Sequence, residues 1–216
     1  MNGFVIAIDG PAASGKGAIA HALAATYALP VLDSGLLYRA VGLATARAGE
    51  DADDAAVAAR HARRLDLARL DDPALRSLEA GAAASRVAVH PAVREALRAA
   101  QRAFAAQPGG AIIDGRDIGT VIVPDAPAKL YVTASLDARA ERRWRQLRLA
   151  DPAIAREEVV ADIARRDAVD SGRADSPMRP APDAVLLDTT EMTIEAAADA
   201  ARRIVEAARA RWAKAP

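Results

Sequence analysis

Residues 4–17 read FVIAIDGPAASGKG. An apolar run of β character breaks into a glycine-punctuated loop, and the loop ends in a lysine at the head of an alanine-rich stretch. Gly10, Gly15 and Lys16 fit the first seven positions of G-x-x-x-x-G-K-[ST]. In that motif backbone N–H groups and a helix N-terminus cradle phosphate oxygens, while the lysine reaches the outer phosphates. The eighth position departs. Gly17 stands where a Mg²⁺-binding hydroxyl usually sits and Ala18 follows, which leaves Ser14 as the only hydroxyl inside the loop. Glycine and lysine at this spacing also arise by chance, so the context carries the reading: the pattern predicts a strand over 4–8 before the loop and a helix over 15–27 after it.

The cations support a specific lysine. The chain has three lysines (Lys16, Lys129 and Lys214) among 29 Lys and Arg residues, so a lysine in the loop is not compositional noise. A flexible point charge stands there, while arginine is abundant where a planar fork for phosphate would serve.

Working outward, apolar runs at 5–8, 111–113, 129–132 and 184–187 end in acidic or small residues, and a shorter run at 30–32 ends at Asp33. Amphipathic helical patterns at 15–27, 36–48, 91–106, 136–149, 156–169 and 193–213 alternate with them. This alternation predicts an α/β domain on a mainly parallel five-stranded sheet. The stretch 49–84 is polar and alanine-rich without a strand period, and reads as an inserted helical lobe. In LADPAIARE (149–157) the Asp-Pro pair breaks the helical pattern between two arginine-bearing segments, as a hinged corner or lid would require. The tail 207–216 is expected to fray.

Length and composition narrow the class. At 216 residues the chain fits one core with small insertions. A net charge of zero removes the basic field that duplex binding would need. The absence of cysteine excludes disulfides, thiol catalysis and Cys-ligated zinc. The start, MNGFVIAIDG, has no basic leader and too short an apolar run for a signal or a membrane span, so the expected location is cytoplasmic.

Three further stretches carry charge at strand or helix ends. In LDSGLLYR (32–39), Asp33 or Ser34 suits a helix cap. Beside a phosphate loop, the same acid can hold Mg²⁺ waters, and Arg39 can face an acceptor phosphate. In IIDGRDIGT (112–120), Arg116 and Asp117 lie between glycines beyond the sheet's carboxyl edge, where open α/β sheets bind ligands. They pair a phosphate fork with an acceptor for an exocyclic amine, or form a surface ion pair on a tight turn. In ARRDAVDSGR (164–173), Arg166 and Asp170 are spaced for an i,i+4 ion pair and Arg173 follows Gly172. Arg139, Arg142, Arg143 and Arg148 add charge nearby, most of it expected to be solvated.

Taken in order, IDGPAASGKG, LDSGLLYR, AAASRVAVHPAVRE, DGRDIGT, PDAPAKLYV and RRDAVDSGR make the chain resemble the bacterial cytidylate kinases, the (d)CMP kinase branch of the nucleoside monophosphate kinases. The resemblance covers nearly the whole length. It implies a three-layer P-loop kinase fold with a core over about 1–33, 107–146 and 170–216, an acceptor lobe over about 34–106 and a lid over about 147–160. It implies that Gly10, Pro11, Ala12, Ala13, Ser14, Gly15, Lys16, Gly17 and Ala18 bind ATP. Ser34, Arg166 and Asp170 would approach the acceptor sugar, and Arg39, Arg116 and Arg173 its phosphate. Ser85, Arg94 and Asp117 would contact the cytosine; from spacing alone, Ser85 and Arg94 are ordinary helix-surface residues.

The resemblance further implies ATP as donor, Mg²⁺, CMP or dCMP as acceptor, and a monomer without nucleic-acid or membrane partners. The transfer needs no covalent nucleophile, so Lys16, Arg39, Arg116 and Arg173 would act by positioning and electrostatics. Two departures stand out. The family loop reads GKGT, and Ala18 removes that hydroxyl. The stretch 65–81, LDLARLDDPALRSLEAG, is shorter than the family's insertion and lacks its strand character. Another small P-loop kinase, on shikimate, gluconate or a different nucleotide, would not need the set Ser85, Arg94 and Asp117. A GTPase-like switch would need an Asn-Lys-x-Asp motif that the chain lacks.

Overall fold

The computed structural model describes residues 3–66, 70–149 and 151–214. In chain order the elements are β1 (Val5–Asp9), α1 (Lys16–Tyr27), β2 (Val31–Asp33), α2 (Ser34–Arg47), α3 (Ala55–Arg63), α4 (Leu78–Val87), α5 (Pro91–Ala105), β3 (Ala111–Gly115), β4 (Ala128–Thr133), α6 (Leu136–Leu147), α7 (Arg156–Gly172), β5 (Val185–Asp188) and α8 (Ile194–Trp212). The strands form one sheet in the order β2-β3-β1-β4-β5. β1 pairs in parallel with β3 and β4, and β4 with β5. The chain divides into two compact units, Met1–Val31 with Ala105–Pro216, and Leu32–Phe104.

In the first unit β1 is central, and Ile6, Ala7 and Ile8 are wholly buried. Covering on both faces is what makes a strand read as a continuous apolar run rather than an alternating one. Ile6, Ile8, Ile112, Leu130 and Val132 pack with Ile19 and Leu23 of α1 and with Ala197, Ala201 and Val205 of α8. The small residues on α8 let the helix approach the sheet closely, and each buried Ile or Leu contributes about 1.5–3 kcal/mol. The chain's end does not fray from 207: α8 runs to Trp212, whose ring stands edge-on to Phe4 with centroids 5.4 Å apart. Arg209 lies over both Phe4 and Tyr27, so cation–π contacts fasten the same end.

In the second unit α2 buries Leu37, Val41 and Thr45, α4 buries Ala80 and Val87, and α5 buries Val93 and Leu97. Asp33, Asp54 and Ser77 cap α2, α3 and α4 with side-chain oxygens, which is why these helices begin where they do. The region 49–84, read as a helical lobe, contains α3, a 3₁₀ turn at Pro73–Arg76 and the start of α4. Part of the shortened stretch 65–81 lies outside the described residues. Among the described residues no helix is long and apolar enough to cross a membrane.

Two boundaries differ from the sequence pattern. α7 continues through Asp170 to Gly172 rather than stopping near 169. The segment after Arg116 and Asp117, where the sequence pattern allowed a tight turn, forms a single π-helical turn over Ile118–Ile122.

Candidate active site

β1 delivers the chain into the loop at Gly10, where φ is 148° and a Cβ would lie 1.9 Å from the Val132 carbonyl oxygen. Only glycine fits that approach of β1 to β4. Ala13 follows with φ 60°, a left-handed alanine of the strained kind that clusters at ligand sites. Gly15 (φ 92°) heads α1 with no side-chain cap, so the first-turn amides of α1 are left to a ligand or water.

The loop is held from outside. Thr189, buried just beyond β5, donates its hydroxyl to the Ser14 carbonyl at 2.9 Å and accepts from Arg142 Nη1 at 3.0 Å. Arg139, buried on α6, donates to the Ala12 and Ala134 carbonyls and pairs with Asp167 of α7 at 2.7 Å. Arg139 and Thr189 thus hold the Ala12 and Ser14 carbonyls from outside, which leaves the loop's amides as the groups available to an anion in a motif of this kind. Lys16 Nζ folds back to within 3.3 Å of the Pro11 carbonyl. The Ser14 hydroxyl is buried without a hydrogen-bond partner among the described residues, an orphan polar atom in a loop suited to oxygen ligands.

A cationic constellation belongs to the same unit. Arg116 Nε lies 2.9 Å from Asp170 Oδ2, and Arg173 pairs with Asp170 Oδ1. The expected Arg166–Asp170 pair is therefore not formed. Asp170 turns to the two arginines that flank it in space, and among the described residues Arg166 has its ion-pair carboxylate at 3.9 Å, on Asp162. Burial alone would raise the Asp170 carboxyl, but the guanidiniums of Arg116 and Arg173 outweigh it and hold the group below the usual carboxylate range. Burial depresses Arg166, and the neighbouring Arg116 adds to the effect. Burial likewise depresses Arg143. Guanidiniums disfavoured by desolvation and by one another are stabilised by an arriving anion.

Asp117 is buried at the head of the π-turn and makes no side-chain cap to it. Asp114, buried as the last residue but one of β3, is not among the site residues that the sequence pattern points to. Its Oδ2 lies 3.5 Å from the point a Cβ on Gly17 would occupy. The signal for it was present in IIDG, an acid at a strand end. An acid at the end of a strand beside the loop is the residue type that holds Mg²⁺ in P-loop enzymes, so the site fits that ion despite the missing loop hydroxyl.

The second unit holds the remaining residues. Ser34 is buried as the first residue of α2. Arg39 Nη1 donates to the Leu75 and Ser77 carbonyls at 2.9 and 3.1 Å. The Ser85 hydroxyl donates to the Gly81 carbonyl one turn back. Arg94 is not a surface residue: it is 3% exposed, with its guanidinium 5.7 Å from the Tyr38 ring centroid. Asp33, the expected holder of Mg²⁺ waters, spends Oδ1 on the α2 cap at 2.8 Å from Gly35 N.

A parallel sheet with the glycine-lysine loop after its central strand, and arginines gathered beyond its carboxyl edge, defines the class: a P-loop kinase. The model of the cytidylate kinase family matches residues 6–208, and the chain belongs to that family. It is 61% identical over 209 residues to the cytidylate kinase of Caulobacter sp. (strain K31), covering 97% of each chain. With that of Caulobacter vibrioides (strain NA1000 / CB15N) it shares 63% identity, covering 97% of this chain and 98% of the relative. With that of Xanthobacter autotrophicus it shares 58%, covering 95% and 99%.

Proposed function

We propose that this protein transfers the γ-phosphoryl group of ATP to the phosphate of CMP or dCMP, giving ADP and CDP or dCDP. The observation that carries this reading is Asp170 with Arg116 and Arg173 in the unit that also holds the loop and Lys16. One carboxylate fixes two guanidiniums, and a kinase for a phosphorylated acceptor needs such a fork twice over.

The acceptor oxygen is already anionic, so catalysis is positioning and electrostatic stabilisation with no dedicated base. Gly10–Ala18 hold the donor phosphates through backbone N–H groups, and Lys16 reaches the outer ones. Arg39, Arg116 and Arg173 hold the acceptor phosphate. Ser34, Arg166 and Asp170 face its sugar, and Ser85, Arg94 and Asp117 read the cytosine. Asp114 is the residue that would hold Mg²⁺ through water. Mg²⁺ bound with ATP neutralises charge on the outer phosphate oxygens. Residues 34–106 form the acceptor lobe in this reading, and 147–160 a lid that excludes water from the transfer. The protein acts as a cytosolic monomer, as the family resemblance implies.

The test is ADP release from ATP·Mg²⁺ with CMP, dCMP, UMP, AMP, GMP or no acceptor, with Lys16→Ala as control. Turnover confined to CMP and dCMP is expected. Turnover that is independent of any nucleotide acceptor would overturn the reading.

A further inference from the structure

We propose that Asp9 is a positioning residue, one that fixes the acceptor-reading segment Arg116–Gly119 to the strand end from which the phosphate loop starts. The inference rests on the CMP kinase reading, because it gives Arg116 and Asp117 their roles.

Asp9 is the last residue of β1, next to Gly10, and is 3% exposed. Its Oδ1 accepts the Ile118 N–H and its Oδ2 the Gly119 N–H, both at 2.7 Å. These are the first two amides of the π-turn Ile118–Ile122, donors that a helical turn cannot satisfy from within. The residue in the capping position, Asp117, makes no side-chain bond to them. The cap therefore comes from a strand 109 residues away in sequence. A single-turn π-helix is an unfavourable element that persists where its surroundings hold it.

Gly119 is part of the device. A Cβ there would lie 3.3 Å from Asp9 Oδ2 and 3.2 Å from the Lys129 side chain, so a larger residue crowds the carboxylate and the turn or its neighbours must shift by a few tenths of an ångström. The charged and titratable groups around Asp9 are Asp117 and Arg116 from the turn, and Tyr131 and Lys129 from β4. Burial is the largest influence and pushes the Asp9 carboxyl up to about 6, while the two N–H bonds oppose it. Both oxygens accept an amide N–H at 2.7 Å, an arrangement that the carboxylate form satisfies at each oxygen.

An asparagine at this position keeps the shape but offers one acceptor oxygen and turns its NH₂ toward the second amide. One of two charge-assisted bonds becomes a donor–donor contact, and Arg116 and Asp117, immediately before the turn, lose their register. The phosphate loop keeps its own anchors, Gly10 against Val132 and Ser14 on Thr189.

The experiment compares wild type, Asp9→Asn, Arg116→Ala and the double variant by steady-state kinetics for CMP and ATP and by thermal melting. Asp9→Asn is expected to raise KM for CMP about ten- to a hundredfold and to leave KM for ATP within about twofold. In the Arg116→Ala background most of that effect on CMP disappears, because Asp9 acts through the segment that carries Arg116. An unchanged KM for CMP, equal losses for both substrates, or full additivity would overturn the proposal. If Asp9→Asn does not fold, Gly119→Ala provides the test, with the same CMP-selective rise expected and an unchanged KM decisive against it.

Amide hydrogen exchange provides a readout independent of activity: Ile118 and Gly119 are protected in wild type and lose protection in Asp9→Asn. Wild type without CMP turnover sinks the functional reading. Wild type active on CMP with an unaffected Asp9→Asn sinks this inference alone.

Discussion

Asp170 and Arg116 meet as a largely buried ion pair, Nε to Oδ2 at 2.9 Å, across 54 residues of sequence. Arg173 takes the other oxygen, so one carboxylate presets both guanidiniums before any anion binds. The side chains of Asp170 and Arg173 are 11% and 12% exposed, so water screens the cluster poorly.

Replacing Asp170 by Asn leaves two partly buried guanidiniums without their shared charge. Removing one member of a buried pair costs about 3–5 kcal/mol, and the arginines lose their orientation as well. We expect a clear drop in chemical-denaturation stability and at least about a tenfold rise in KM for CMP. Because the folded carboxyl lies below its ordinary value, its stabilisation is fully present above about pH 4 and is lost as pH falls through the depressed folded value. The stability gap between wild type and Asp170→Asn should therefore be constant from pH 8 to 5 and shrink only in strong acid.

Thr189 ties the phosphate loop to α6 through a single hydroxyl, donating to Ser14 O and accepting from Arg142. Thr189→Val keeps the shape and deletes these bonds together with the hydroxyl's contact to the Thr133 carbonyl at 3.1 Å, leaving the Ser14 carbonyl and an Arg142 N–H without that partner. A cost of about 1–3 kcal/mol follows, with KM for ATP raised several-fold and KM for CMP little changed. Thr189→Ser should restore most of the loss. Equal kinetics for all three proteins would show that the bond does not shape the donor site.

Much of this architecture was legible because its signals are local. The run FVIAIDG, the loop glycines and the five strand ends follow from period and punctuation, and the observed strands differ from the expected ones by only a residue or two. Pairings across long sequence separations were not legible. Nothing in RRDAVDSGR says that Asp170 turns to Arg116 rather than to Arg166 one helical turn away. The burial of Arg94 was hidden because α5 looks amphipathic with arginines on its polar side. Asp9 and Asp114 read as ordinary strand ends until the fold placed one under the π-turn and the other beside Gly17.

Ala13 sits in the loop at φ 60°. An L-residue with a Cβ pays about 1–2 kcal/mol in that conformation, and glycine pays almost none. Ala13→Gly also loosens the unfolded chain, which takes back about 0.4–1 kcal/mol. The expected net result is a protein as stable as wild type or more so, with unchanged kinetics. A marked loss of stability, measured by thermal melting, would mean that the Ala13 methyl contributes packing that outweighs its strain.

Ala18 lies exposed in the first turn of α1, so a threonine there meets open space rather than the core. Ala18→Thr restores the hydroxyl that the family's GKGT pattern carries at this position. β-Branching costs the helix a few tenths of a kcal/mol, about 0.5 at most, whereas one additional hydrogen bond at the donor site contributes about 0.5–1.5 kcal/mol. KM for ATP·Mg²⁺ should fall about two- to tenfold, most visibly at limiting Mg²⁺, with KM for CMP unchanged. A variant with wild-type KM for ATP across a Mg²⁺ titration would show that a hydroxyl at this position adds nothing to donor binding.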